Sequence, residues 1–205
     1  MNECFWRILP LDARHNGEAA VVHRTAFPGF FLSFLGPRFL REFYRAFAIE
    51  ESSIALIAED AFRAELLAVA VGTLDPQGFF RRLLFRRWWA FGFLSLPAVA
   101  KQPKSLSRLL RALSYRGDCP MDKKRALLSS IAVAPHQQGT GLGSALLKDW
   151  VLKAREKGAA GCYLTTDAID NDLVNRFYIK NGWRLDAEFT TPEFRKMNRY
   201  VLDWE

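Results

Sequence analysis

The stretch "VAPHQQGTGLGSALL", Val133 to Leu147, decides how the chain is read. It sets Gly139, Gly141 and Gly143 within five residues, after an apolar run and before a helical one. Glycine loses more conformational freedom on ordering than any other residue, so it weakens both a strand and a helix. Three together predict a turn that needs bare backbone. The preceding "ALLSSIAVAP" has the branched, apolar character of a strand. The following "GLGSALLKDWVLKAREKG" places Leu142, Leu146, Trp150 and Ala154 at helical spacing. A strand, a glycine turn and a helix N-terminus make an anion seat. The first N–H groups of a helix lack intrahelical partners and carry the positive end of its dipole.

Two phosphate-binding motifs are excluded. A nucleotide-triphosphate loop needs lysine after its glycines, and none follows here. A dinucleotide turn wants G-x-G-x-x-G, of which Gly139-Thr140-Gly141-Leu142-Gly143-Ser144 keeps two glycines. Only 62 of the 205 residues follow Gly143, too few for the rest of such a sheet. Gln138 ahead of the turn gives Q-x-x-G-x-G instead.

Outward from the turn, the pattern predicts β-α-α-β-β, an insertion, then β-α-β-α-β-β. "CFWRILPL" reads as the first strand, and "DARHNGEAAVVHRTAF" as a helix with Asp12 as N-cap. A second helix is expected over "SFLGPRFLREFYRAFAIE", with an apolar stripe of Leu40, Phe43, Tyr44 and Phe47. "SSIALIAED" and "AELLAVAVGTLDPQG" form a hairpin. After the glycine turn come a strand "GCYLTTD", a short helix "NDLVNRFYIKNG", and the strands "WRLDAEFT" and "MNRYVLDW".

Length and composition suit one domain, residues 1–205, with half the residues hydrophobic and an insertion at about 79–125. Cys4, Cys119 and Cys162 are scattered without a C-x-x-C pair, which argues against disulfides and against a structural metal. The start lacks a basic region followed by an apolar one, so a cytoplasmic protein without a secretion signal is expected. The net charge is +7, yet residues 79–118 carry nine Lys and Arg against Asp118 alone. The body of the chain is thus close to neutral, and no nucleic-acid partner is expected.

Gln138 to Gly143 resembles the Q/R-x-x-G-x-G/A motif of the GCN5-related N-acetyltransferases, the GNAT family. "IAVAP" is similar to the family's strand ending in V-x-P. "NDLVNRFYIKNGW" is similar to its N-x-x-A-x-x-F-Y-x-K-x-G-F block, with Val174 and Trp183 in place of alanine and phenylalanine. The resemblance implies an α/β (α+β) fold, a mixed and mostly antiparallel sheet of about seven strands flanked by helices. It implies acetyl-CoA as cofactor, with coenzyme A pyrophosphate on Gln138, Gly139, Thr140, Gly141, Leu142, Gly143 and Ser144. Pantetheine would pair with the backbone of Ile131, Ala132 and Val133, and Asn171 would reach pantetheine or nearby backbone. No metal is implied.

The implied reaction is attack of an amine on the thioester carbonyl, expelling the thiolate. Backbone N–H near Val133 would stabilise the oxyanion, and Tyr178 would donate a proton to the leaving sulfur. A glutamate common on the family's cofactor strand is missing from Leu127-Leu128-Ser129-Ser130-Ile131-Ala132-Val133. Water relayed by Ser129 or Ser130 remains open as base, as does Asp167, for which a loop-capping role is preferred. His136 is expected near the phosphates or solvent rather than as base, and His15 and His23 on the first helix, where His23 could line an acceptor cleft but an ordinary surface histidine is preferred.

The insertion alternates Arg81/Arg82 and Arg86/Arg87 with apolar residues, and its longest uncharged run is too short to span a membrane. A lid, a contact with anionic membrane through residues 79–116, and a clamp on a phosphate-bearing substrate stay open, and so does the oligomeric state. The expected acceptor is a primary amine of a small molecule, such as an amino-sugar nucleotide. The alternatives are a protein lysine or N-terminus, and a non-catalytic acyl-CoA-binding or membrane-surface module.

Overall fold

The computed structural model describes residues 5–79, 81–83, 124–192 and 194–204. Its elements are β1 (Trp6–Pro10), α1 (Asn16–Ala26), α2 (Phe31–Phe34), α3 (Pro37–Ile49), β2 (Ser53–Asp60) and β3 (Leu66–Thr73). Then follow β4 (Arg125–Val133), α4 (Leu142–Glu156), β5 (Gly161–Asp167), α5 (Asp172–Lys180), β6 (Arg184–Thr190) and β7 (Lys196–Asp203). The element order is the one expected except for one additional helix between β1 and β2. The strands form one seven-stranded sheet in the order β1-β2-β3-β4-β5-β7-β6. Every pairing is antiparallel except β4 with β5, so the sheet is mixed and mostly antiparallel.

One expected helix is two. The run from Ser33 to Glu50 breaks at Gly36, whose φ of +95° suits glycine, and α3 restarts with Pro37 in its first turn. Proline fits there because its missing N–H would be unpartnered anyway, and it cannot continue a helix from behind.

Helices cover both faces of the sheet, which is why β3 is buried along its whole length and reads as an apolar run. On one face Leu40, Tyr44 and Phe47 of α3 and Ala19 and Ala20 of α1 pack on Val69, Val71 and Ala132. On the other, Leu142, Leu146 and Trp150 of α4 pack on Leu67, Ala70, Ala126 and Leu128. Trp150 Nε1 donates to the Ile54 carbonyl at 3.0 Å, tying α4 to β2. Gly72 lies under that indole, where a Cβ would strike the Leu127 carbonyl and the Trp150 ring.

The start of the basic segment belongs to the α1/α3 face. Phe79 stacks on Phe47 with centroids 4.4 Å apart, and Leu83 is buried. Arg82 donates to Glu50 at 2.6 Å and to Asp75 at 3.0 Å, so this arginine is held in ion pairs. Residues 84–123, and with them the lid, membrane and clamp readings, lie outside the described residues. Among the described residues no helix is long and apolar enough to cross a membrane.

The feature that positions the site is a fork. β4 and β5 pair at three positions only, from Arg125↔Gly161 to Leu127↔Tyr163. Past them β5 continues against β7, and β4 against β3. Arg125 and Asp203 clamp the closed end with bonds of 2.7 and 2.9 Å, a bidentate charge-assisted pair. A register shift between Val71 and Gly72 pairs Ser130 and Leu128 with consecutive residues, so Ser129 bulges from β4 just inside the fork. Bulges bend a strand and re-aim its side chains.

Candidate active site

Beyond Leu127, β4 presents backbone toward the open side of the fork, an edge that an extended ligand can pair with. Ile131, Ala132 and Val133 lie on this edge. Ile131 and Val133 pack toward α4 and α5, whereas Ala132 faces α1 and α3.

The glycine turn follows directly. Gly139 and Gly141 have φ of +80° and +93°, and open space surrounds the position of a Cβ at each. These two supply the left-handed backbone that aims successive N–H groups into one concavity. Gly143 serves packing instead: a Cβ there would stand 3.3 Å from Val133 Cγ2 and 3.6 Å from Phe177 Cε2. The turn is braced from within. Gln138 Nε2 donates to the Val133 carbonyl at 3.2 Å, and Thr140 Oγ1 to the Gln137 carbonyl at 2.8 Å. Gly141 is the N-cap of α4 and brings no side-chain cap. Leu142 is fully buried, so its side chain belongs to the core and only its backbone is available to a ligand. Ser144 is half-buried in the first turn of α4, and His136 is exposed beside the turn.

Phe177 touches both Gly143 and β4, which brings α5 against the turn. Tyr178, next to it, is buried among Phe177, Trp183 and Tyr200, with ring centroids 5.2, 5.9 and 5.8 Å away. Burial pushes its hydroxyl well above the usual phenol range, so it stays protonated at any working pH.

An asparagine network holds α5 to the far arm of the fork. Asn171 Nδ2 donates to Thr166 Oγ1 at 2.8 Å and to the Asp167 carbonyl at 3.0 Å. Asn175, which sequence reading passed over, bonds the Asp167 and Asn171 carbonyls and accepts from Asn198 and Tyr200. Its signal was the four-residue step from Asn171, which puts both amides on one helix face. Asp167 itself is held by Arg195 Nη2 at 2.7 Å on both oxygens.

His23 corrects the sequence reading. It is not on the helix surface but 1% exposed, with Nδ1 2.8 Å from the Tyr44 hydroxyl. Tyr44 is wholly buried and also faces the Ser130 side chain. Burial lowers the His23 pKa to about 4 from the usual 6.5. The unfolded chain therefore binds more protons than the folded one as pH falls from 6.5 to 4. Stability contributed by neutral His23 is complete above pH 6.5 and lost through that window, by about 3 kcal/mol in all. Denaturant melts at pH 7 and pH 4 are expected to show this slope, and His23→Gln to flatten it.

His15 is half-buried instead, 3.1 Å from Glu59 and 3.3 Å from Asp12. A cavity of about 440 Å³ lined by Ala13, Asn16, Arg38, Arg41, Glu42 and Arg45 includes no residue of the fork.

Residues 110–185 match the family described as Acetyltransferase (GNAT) domain. Among solved structures the chain is similar to a protein of Desulfovibrio desulfuricans ascribed to the GNAT family. Identity is 18%, 97% of each chain is covered, and the TM-score is 0.60. It is similar to a Salmonella typhimurium protein solved with its cofactor acetyl-CoA, at 13% identity, 98% and 95% coverage and a TM-score of 0.61. The ribosomal-protein-S18-alanine N-acetyltransferase of Escherichia coli aligns at 16% identity, 97% and 93% coverage and a TM-score of 0.58. No curated protein matches the chain in sequence.

Proposed function

We propose that the chain, whose residues 110–185 match the GNAT acetyltransferase domain, moves the acetyl group of acetyl-CoA to a primary amine of a small molecule. The observation that carries this reading is the β4–β5 fork opening onto a glycine turn with two left-handed glycines. The residues fit coenzyme A. N–H groups at Gly139 to Ser144 suit a pyrophosphate, and the free edge of Ile131 to Val133 suits the pantetheine amides.

Acetyl-CoA, when bound, supplies an activated carbonyl on a sulfur leaving group. Backbone N–H near Val133 would donate to the carbonyl oxygen as charge develops there. Tyr178 would donate its proton to the departing sulfur. Gln138 keeps the turn against β4, and Asn171 and Asn175 hold α5, and with it Tyr178, on the far arm.

A small and phosphate-bearing acceptor, such as an amino-sugar nucleotide, is supported by where the basic segment starts. Phe79 and Leu83 root it in the core on the same face of the sheet as α1 and α3. In sequence, residues 79–118 carry nine Lys and Arg, of which Arg82 is ion-paired, against Asp118 alone.

The test is thiol release from acetyl-CoA with amino sugars, their phosphates and nucleotides, polyamines and peptides with free N-termini. Turnover on the sugar amines, best with the phosphorylated ones, is expected. Turnover on peptides alone moves the acceptor to protein. Tight coenzyme A binding with no turnover at all makes the chain a binding module.

A further inference from the structure

We propose a second anion site, apart from the fork: the cavity between α1 and α3 takes a small sugar or polyol phosphate, with its phosphate on Arg38 and Arg41 and a hydroxyl on Asn16. This site does not depend on acetyl transfer. The cavity, about 440 Å³, has room for a phosphate with a small organic body attached, and lies within the usual range of small-molecule sites.

Its charge comes from one helix face. Arg38, Arg41 and Arg45 stand three and four residues apart on α3, so their side chains share one side of it. Arg45 is paired with Glu42 at 3.6 Å. Arg38 and Arg41 have no acidic partner among the described residues, and one turn apart they repel each other. The lining thus carries three guanidiniums against one carboxylate.

The start of α1 adds to this charge instead of relieving it. Asn16 and Gly17 open that helix, and its N-cap His15 makes no side-chain capping bond. Arg41 Nε lies 3.9 Å from where a Cβ on Gly17 would stand, so the guanidinium reaches the first turn. A cation there meets the positive end of the helix dipole, a place that favours anions. The repulsion converges on one hollow, and an oxyanion in it relieves both parts. Arginine forks match phosphate oxygens in pairs, which selects phosphate among oxyanions.

Asn16 is what a solvated row of arginines does not account for. It lines the cavity yet is 5% exposed, and its Oδ1 is buried without a hydrogen-bond partner. An unmet buried acceptor costs stability, and leucine would fill the same space without that cost. An amide suits a ligand that carries hydroxyls beside an oxyanion, because a half-turn about its last torsion offers either oxygen or nitrogen. A bare anion would use only half of that capacity.

Isothermal titration at low salt, with and without coenzyme A, tests the site with glucose 6-phosphate, glucose and inorganic phosphate as probes. Glucose 6-phosphate is expected to bind at one site about tenfold tighter than inorganic phosphate, and glucose not at all. Arg38→Gln and Arg41→Gln should each weaken it by about tenfold, since each removes a charge-assisted pair. Arg63→Gln, on the exposed β2–β3 turn outside the cavity, should leave it unchanged. Asn16→Leu should weaken binding and raise the Tm of the free protein, a combination that a residue serving the fold alone would not give. Competition by coenzyme A places the phosphate on the glycine turn and overturns the site. Equal affinity for phosphate and sugar phosphate, indifference to Arg38 and Arg41, or a Tm that falls with Asn16→Leu overturns it as well.

Discussion

Tyr178→Phe is expected to lower kcat by about 100-fold, the lower end of what a positioned proton donor contributes, with coenzyme A affinity unchanged. The substitution removes one oxygen and keeps the ring that packs on Phe177, Trp183 and Tyr200. Stability should therefore change little. The low end follows from the same burial that keeps the hydroxyl protonated. A phenol pushed above its ordinary range holds its proton more tightly than a thiol does. Full transfer to sulfur is uphill, and much of the benefit is a hydrogen bond to a developing thiolate. Stopped-time thiol assays at saturating acetyl-CoA, with a separate coenzyme A titration, read the two quantities apart. An unchanged kcat would remove Tyr178 from the reaction and leave it a core aromatic.

What was legible in the sequence followed side-chain identity. The glycine turn was readable because a left-handed φ at Gly139 and Gly141 leaves a residue type behind it. The α3 stripe was readable because Leu40, Phe43, Tyr44 and Phe47 share one face, and each is buried. The same stripe hid the break at Gly36-Pro37, since apolar spacing continued across a boundary set by backbone sterics. The fork was not legible from spacing at all. Where β4 and β5 part depends on backbone hydrogen bonds, which any side chain allows, and only the family resemblance implied an open edge. The Ser129 bulge was silent for the same reason. His23 shows a different failure. Three and four residues after Ala20 and Ala19, it sits on their buried stripe, so periodicity placed it inside. Its polarity argues for the surface, because the partner that makes burial tolerable, Tyr44, is 21 residues away in the chain.

Gly141→Ala is expected to raise the Kd for coenzyme A by about 10- to 100-fold, with a far smaller effect on kcat at saturation. Gly141 sits at φ +93° and ψ −12°, and nothing lies within 4 Å of the position its Cβ would take. Crowding is therefore not the issue. An L-residue in this region costs about 1–2 kcal/mol, and the chain can relieve it by rotating the peptide at the head of α4. Rotation turns away the N–H groups that suit a phosphate, and the new methyl stands where that phosphate would approach. Gly158, at the other end of α4, has φ +85° and equally open surroundings. Gly158→Ala carries the same backbone strain without touching the turn. The two variants should lose similar stability in thermal melts and differ in coenzyme A binding measured by calorimetry. Equal affinity in both would mean that the glycines shape the connection from β4 to α4 and hold no pyrophosphate.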